Sequence, residues 1–186
     1  MKRRLAIMGA AGLLAVILLG TPPAFGEGVS FRGRLFSSVA GETPYNVKID
    51  IKEFTLLEEA QRIVQLMATG DEDGFYKLIR SLDKGNMQFI GGPGLNIKFN
   101  IAQEYETEKG YRIVLVTEGR SVEPGTSKFL NIPWRFLLVI LDLDKKYTGA
   151  GRVYEDAAIG ATPTGNITLA SSYTLSKELV NIRLVK

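Results

Sequence analysis

The sequence predicts an α+β domain: a mostly antiparallel sheet of about seven to nine strands, strongly curved or a partial barrel, with one helical hairpin inserted after the second strand. Three observations carry this. Short runs alternate apolar with polar residues, as Val47, Ile49 and Ile51 do with Lys48, Asp50 and Lys52, which is the pattern of a strand with one wet face. Between Thr55 and Leu82 the apolar residues change to helical spacing, so this stretch folds differently from its neighbours. Pro133-Trp134-Arg135-Phe136-Leu137-Leu138-Val139-Ile140-Leu141-Asp142-Leu143-Asp144 is apolar at odd and even positions alike, so it belongs mid-sheet with a second layer over one face. Strands with one dry face need those faces gathered together, which curves the sheet.

The chain opens with Met1-Lys2-Arg3-Arg4, an apolar run from Leu5 to Gly20, and Thr21-Pro22-Pro23-Ala24-Phe25-Gly26. This reads as a secretory signal peptide over residues 1–26, cleaved after Gly26. The alternative, a retained anchor, needs a run of about 20 apolar residues and this one is shorter. Residues 27–186 then form a single domain, periplasmic or extracellular, with no stable membrane anchor.

Val29 to Val39 reads as a first strand, bent or bulged at Gly33, and Val47 to Ile51 as its hairpin partner. Thr55-Leu56-Leu57-Glu58 has the form of a capping box. In the helix that follows, Leu56, Ala60, Ile63, Val64 and Met67 share a stripe, and Gly70 ends it. Asp71 or Asp73 caps a second helix with Phe75, Leu78, Ile79 and Leu82 on its dry side. Met87 to Ile90 is a short strand and Gly91-Gly92-Pro93-Gly94 a loop. Leu95, Ile97, Phe99 and Ile101 alternate with polar residues, the strand runs on through Gln103 to Glu108, and Tyr111 to Thr117 returns. Glu118 to Asn131 is a long loop, the natural lid of any pocket. Thr148 to Tyr154 pairs with the central run, its glycines allowing close approach of another backbone or a ligand. Ala157 to Gly165 reads as a loop, Asn166 to Leu169 as a short strand, and Leu179 to Val185 as a closing strand with Val180, Ile182 and Leu184 inward.

The chemistry is defined mostly by exclusion. The chain has 186 residues with no histidine and no cysteine, which removes Ser-His-Asp and Cys-His catalysis, the usual zinc and copper sites, and disulfides. Without Lys2, Arg3 and Arg4 the basic residues fall to 20 against 20 acidic ones, so no nucleic acid partner is expected and the overall charge licenses no inference about anionic membranes. No metal and no cofactor is implied. The elbow Asp71-Glu72-Asp73 is read as helix capping, since the offsets of a calcium loop are absent. The glycine cluster 91–94 lacks the continuation of a phosphate loop.

Glu104, Glu106 and Glu108 share a face at period two, and Asp142 and Asp144 end the central run. Two carboxylates drawn from Glu104, Glu106, Asp142 and Asp144, facing each other across a cleft, would suit a glycoside-type hydrolase. A solvated hairpin end and an acidic strand end entering a turn are the simpler readings. The preferred function is non-catalytic: an exported binding or interaction module for a small apolar or amphipathic ligand held between sheet and helical hairpin. Phe75, Tyr111, Trp134 and Phe136 are its candidate liners, with core packing as their ordinary role. A structural envelope protein acting through a sheet edge or homodimer is the remaining alternative.

Taken together, the strand ending near Phe54, the acidic helical hairpin, Tyr111 to Thr117, and Pro133-Trp134-Arg135-Phe136 to Asp144 followed by Gly149-x-Gly151 resemble a group of short secreted bacterial proteins without assigned activity. The resemblance spans roughly Val47 to Val153. It departs at the turn, where Lys146-Tyr147 stands in place of glycine or asparagine. It implies an envelope location and transfers no functional residue.

Overall fold

The computed structural model describes residues 28–36, 43–91, 95–118, 136–162 and 164–185. The signal segment, the stretch 119–135 with Trp134 and the expected lid, and Gly92 to Gly94 lie outside the described residues. The chain is mainly β: β1 (Val29–Phe36), β2 (Tyr45–Ile51), α1 (Leu57–Thr69), α2 (Glu72–Ser81), β3 (Gly85–Ile90), β4 (Asn96–Phe99), β5 (Ile101–Thr107), β6 (Gly110–Glu118), β7 (Phe136–Asp144), β8 (Thr148–Ala161), β9 (Ile167–Ser172) and β10 (Lys177–Val185).

All strand pairs are antiparallel, in the order β4-β3-β2-β1-β10-β8-β7-β6-β5, with β9 also on β8. The two ends of this path, β4 and β5, are consecutive in the chain with Asn100 alone between them. The Lys84 N–H donates to the Phe99 carbonyl, and the Asn100 N–H to the Val116 carbonyl (2.9 and 2.8 Å). The sheet therefore curves until its first and last strands are joined through the backbone. The extended β8 is flanked on one side by β9 and then β10, which follow one another along it.

Two apolar clusters result. The inner face gathers Phe31, Leu35, Val47, Ile49, Met87, Phe99, Ile113, Leu115, Val139, Leu141, Leu179 and Ile182 from around the sheet. On the outer face of β5 to β9, Ile101, Val114, Val116, Phe136, Leu138, Ala157 and Ile159 pack against Ile63 and Leu66 of α1 and Phe75 and Ile79 of α2. The central run is thus covered on both faces, as its composition predicts. Gly70 follows α1 at φ 68° and Asp71 caps α2, its Oδ1 accepting the Gly74 N–H (3.0 Å).

Four local expectations are corrected. α1 is entered one residue later than the Thr55 box: Leu56 occupies the cap position, and the Glu59 carboxylate accepts its N–H (2.8 Å). Thr55 is instead held by β5, since its N–H donates to the Ala102 carbonyl and its Oγ1 accepts the Ala102 N–H (2.7 and 3.0 Å). Leu56 is correspondingly exposed. Alternation fails at Asn100, so Ile101 lies under the helices while Phe99 and Ala102 face inward. Asn100 itself is buried, donating to the Leu82 carbonyl and accepting the Glu118 N–H (3.1 and 3.2 Å).

In β10 Ile182 and the partly buried Leu184 face inward as expected, but Leu179 takes the inward place expected of Val180. Asn181, at φ 55°, makes a bulge opposite Gly33 that changes the parity. A Cβ on Gly33 would come within 2.3 Å of the Ile182 side chain, so the glycine of β1 and the bulge of β10 are one feature. Finally, 157–161 continues β8 instead of looping, because Ala157 and Ile159 are needed beneath the helices.

Candidate functional site: a cationic groove on the bare half of the sheet

The four expected pocket liners do not form one site. Phe75 and Phe136 are fully buried, their ring centroids 5.8 Å apart and edge-on, and Tyr76 stacks on Phe136 at 6.2 Å. Their faces are thus occupied by one another, in the ordinary role of a core. Tyr111 belongs to the inner cluster and stacks on Tyr147 at 4.6 Å, nearly parallel. Trp134 lies outside the described residues.

Tyr147 is the bulky residue at the departure noted in the turn. It adopts φ 59° in the β7–β8 turn, where its N–H donates to the Asp144 carbonyl (2.9 Å). Asp144 Oδ1 accepts the N–H groups of Lys146 and Thr148 (2.8 and 2.9 Å). A left-handed tyrosine is unfavourable by itself; here its ring is buried between Tyr111 and Phe31. Burial, then the neighbouring Glu104 carboxylate, pushes the Tyr147 phenol well above its ordinary value of 10.0. A phenol held protonated in this way closes one end of the interior and offers no base.

The acids are divided by register. Glu104 pairs opposite Ile113, which pairs opposite Leu141, so it shares the inner face. Asp142 is opposite Arg112 on the other face, its Oδ1 accepting from Nε at 2.5 Å. That contact raises the guanidinium's pKa further. Asp144 is spent on its turn. Glu108, Asp142 and Asp144 do line one open hollow, in which Asp142 is paired with Arg112 and Asp144 is bonded to its own turn; no group of three potential metal ligands occurs among the described residues.

A different site lies on the outer face of β1, β2 and β10. The strand registers set Lys48 opposite Arg32 and Arg32 opposite Arg183, three cations in a row across three strands. Arg34 follows two residues along β1. Like charges directly opposite each other are destabilising. Only Lys48 is compensated, by Asp50 at 2.8 Å. Arg32, Arg34 and Arg183 are exposed and form no salt bridge with a described carboxylate. An open groove runs between them, lined also by Asn46, Ile90, Asn181 and Thr148; the side chains of Val47 and Ile182 beneath it belong to the inner face. The bulge of β10 at Asn181 lies in this stretch, opposite Gly33. Nothing in linear spacing reveals the groove. Arg32-x-Arg34 alone is an ordinary wet strand face, and the third arginine comes from the other end of the chain.

Sequence reasoning also misses Lys84. It is 1% exposed, and its Nζ contacts Glu53 at 2.8 Å and Glu59 at 2.7 Å. Burial lowers its pKa, but hydrogen bonds and charge from the two glutamates outweigh this and leave it raised above 10.5. The cluster ties the end of β2, the start of α1 and the start of β3 together. Comparison of the chain with protein family models, curated proteins and solved structures finds no match to any of them.

Proposed function

We propose that this protein is an exported, non-catalytic binding module for an amphipathic ligand, and that the ligand's anionic part is received by the groove over β1, β2 and β10. The observation that carries this reading is Arg32 standing directly opposite Arg183 without a described counter-charge. A fold that only needed a wet surface would gain by placing an acid at either position; an anion in the groove removes the repulsion. Guanidinium groups also match phosphate, sulfate and carboxylate in bidentate fashion. Ile90, 46% exposed, gives the groove an apolar component, which suits a ligand with a hydrocarbon part. The curved sheet serves as a rigid, partial-barrel scaffold whose interior is filled by its own side chains. The apolar signal-like N-terminus supports export, to the periplasm or beyond.

Calorimetric titration with dodecyl phosphate, kept below its micellar concentration, tests this. Saturable binding that disappears in Arg32→Gln/Arg183→Gln protein is expected. Absence of binding, or binding of equal strength in the variant, contradicts it.

A further inference from the structure

The arginine groove is bordered by exposed apolar side chains, and they lie on one side of it. Ile90 is opposite Asn46, which is opposite Arg34, so all three are on one rung of the outer face. Phe36 follows Arg34 on the same face of β1, with the Arg34 guanidinium 5.5 Å from its ring centroid. Phe36 and Ile90 are 36% and 46% exposed. The acids on this face are Asp50, which pairs with Lys48 and accepts from Ser30, and Glu178, opposite Phe36.

We infer that this end of the sheet docks on an anionic lipid surface, with Phe36 and Ile90 entering the interfacial region and Arg32, Arg34 and Arg183 engaging headgroup phosphates. The inference rests on the groove being an anion site and adds what carries the anion. Charge complementarity selects an anionic partner, and the apolar residues beside the arginines select a layered one: a soluble polyanion would leave them in water. Burying apolar side chains at the headgroup boundary while cations meet the phosphates is how peripheral proteins hold a bilayer, and neither contribution suffices alone. The arrangement does not span the bilayer, and no described helix is long and apolar enough to do so.

The test is co-sedimentation of protein purified from cells that export it with vesicles of phosphatidylcholine alone or with phosphatidylglycerol added, at low and high salt. Binding only to the anionic vesicles, weakened by salt, is expected. Arg32→Gln/Arg183→Gln should weaken partition by about fivefold per arginine. Phe36→Ser/Ile90→Ser should weaken it without altering the response to salt. All these positions are exposed, and melting temperatures of the variants check that they fold; the comparison of vesicles with unaltered protein stands regardless. Equal binding to neutral vesicles, or indifference to the arginine changes, overturns the inference. Saturable binding of monomeric dodecyl phosphate or of heparin without vesicle binding overturns the lipid partner while leaving the binding module intact. Failure with all these probes removes both.

Discussion

The outer surface of the sheet has two halves, and they differ in everything except backbone. Over β5 to β8 the outward positions are Ile101, Val114, Val116, Phe136 and Leu138, all fully buried beneath α1 and α2. Over β1, β2 and β10 the corresponding positions include Ser30, Arg32, Arg34, Asn46, Lys48, Asp50 and Arg183, which face solvent. The helices are inserted between β2 and β3 yet pack over β5 to β9, away from the strands they connect. Connectivity places their ends; the apolar stripe of Ile63, Leu66, Phe75 and Ile79 decides where they lie. Among the described residues no helix covers the other half, whose outward positions are mostly polar or charged.

The contrast can be broken from either side. The largest expected effect is in the covered half: Phe136→Ala removes a ring packed against Phe75 and Tyr76 and should destabilise by about 3–5 kcal/mol, read by urea unfolding. Ligand binding by the remaining folded protein should be unchanged. Lys84→Met comes next. It leaves Glu59 partly buried without its partner and should destabilise by about 3 kcal/mol, with earlier loss of helical circular dichroism if α1 loosens first.

The same clusters set a pH response. Lys84 and Tyr147 both have folded pKa values raised above their ordinary 10.5 and 10.0. Each favours its protonated form in the folded state, so the stability each contributes is complete below the ordinary value and is lost as pH rises through the folded one. Melting temperature should hold near neutrality and fall above about pH 10, and Lys84→Met should flatten part of that fall. The smallest effect has the opposite sign: Arg32→Gln/Arg183→Gln relieves a like-charge pair and should raise stability by about 0.2–1 kcal/mol, measured at low salt, while ligand binding is lost.

Much of the fold is legible in the sequence wherever periodicity is undisturbed. Val47-Lys48-Ile49-Asp50-Ile51 declares a half-wet strand, the helical spacing from Ala60 to Leu82 declares two helices, and the double-faced apolar run of β7 declares its cover. What escapes is set by single residues that change parity or by contacts across the chain. Asn100 and Asn181 each reverse which side chains face inward, for reasons that lie in their tertiary partners and in the bulge opposite Gly33. Thr55 looks like a helix cap, but Ala102 takes both of its hydrogen-bonding groups. Phe75 and Phe136 meet in a core, and a ring that fills a core and one that lines a pocket are the same residue in sequence. The groove joins arginines about 150 residues apart through a pairing register; its only linear trace is Arg32-Gly33-Arg34, where the glycine marks the bulge.

Hydrogen exchange with and without monomeric dodecyl phosphate tests the division between the two halves most directly. The account predicts new amide protection in β1, β2 and β10, strongest around Arg32 to Arg34 and Val180 to Arg183, with α1 and α2 unchanged. Protection gained instead in α1, α2 and β7 would place the ligand between helices and sheet and contradict the assignment of binding to the bare half.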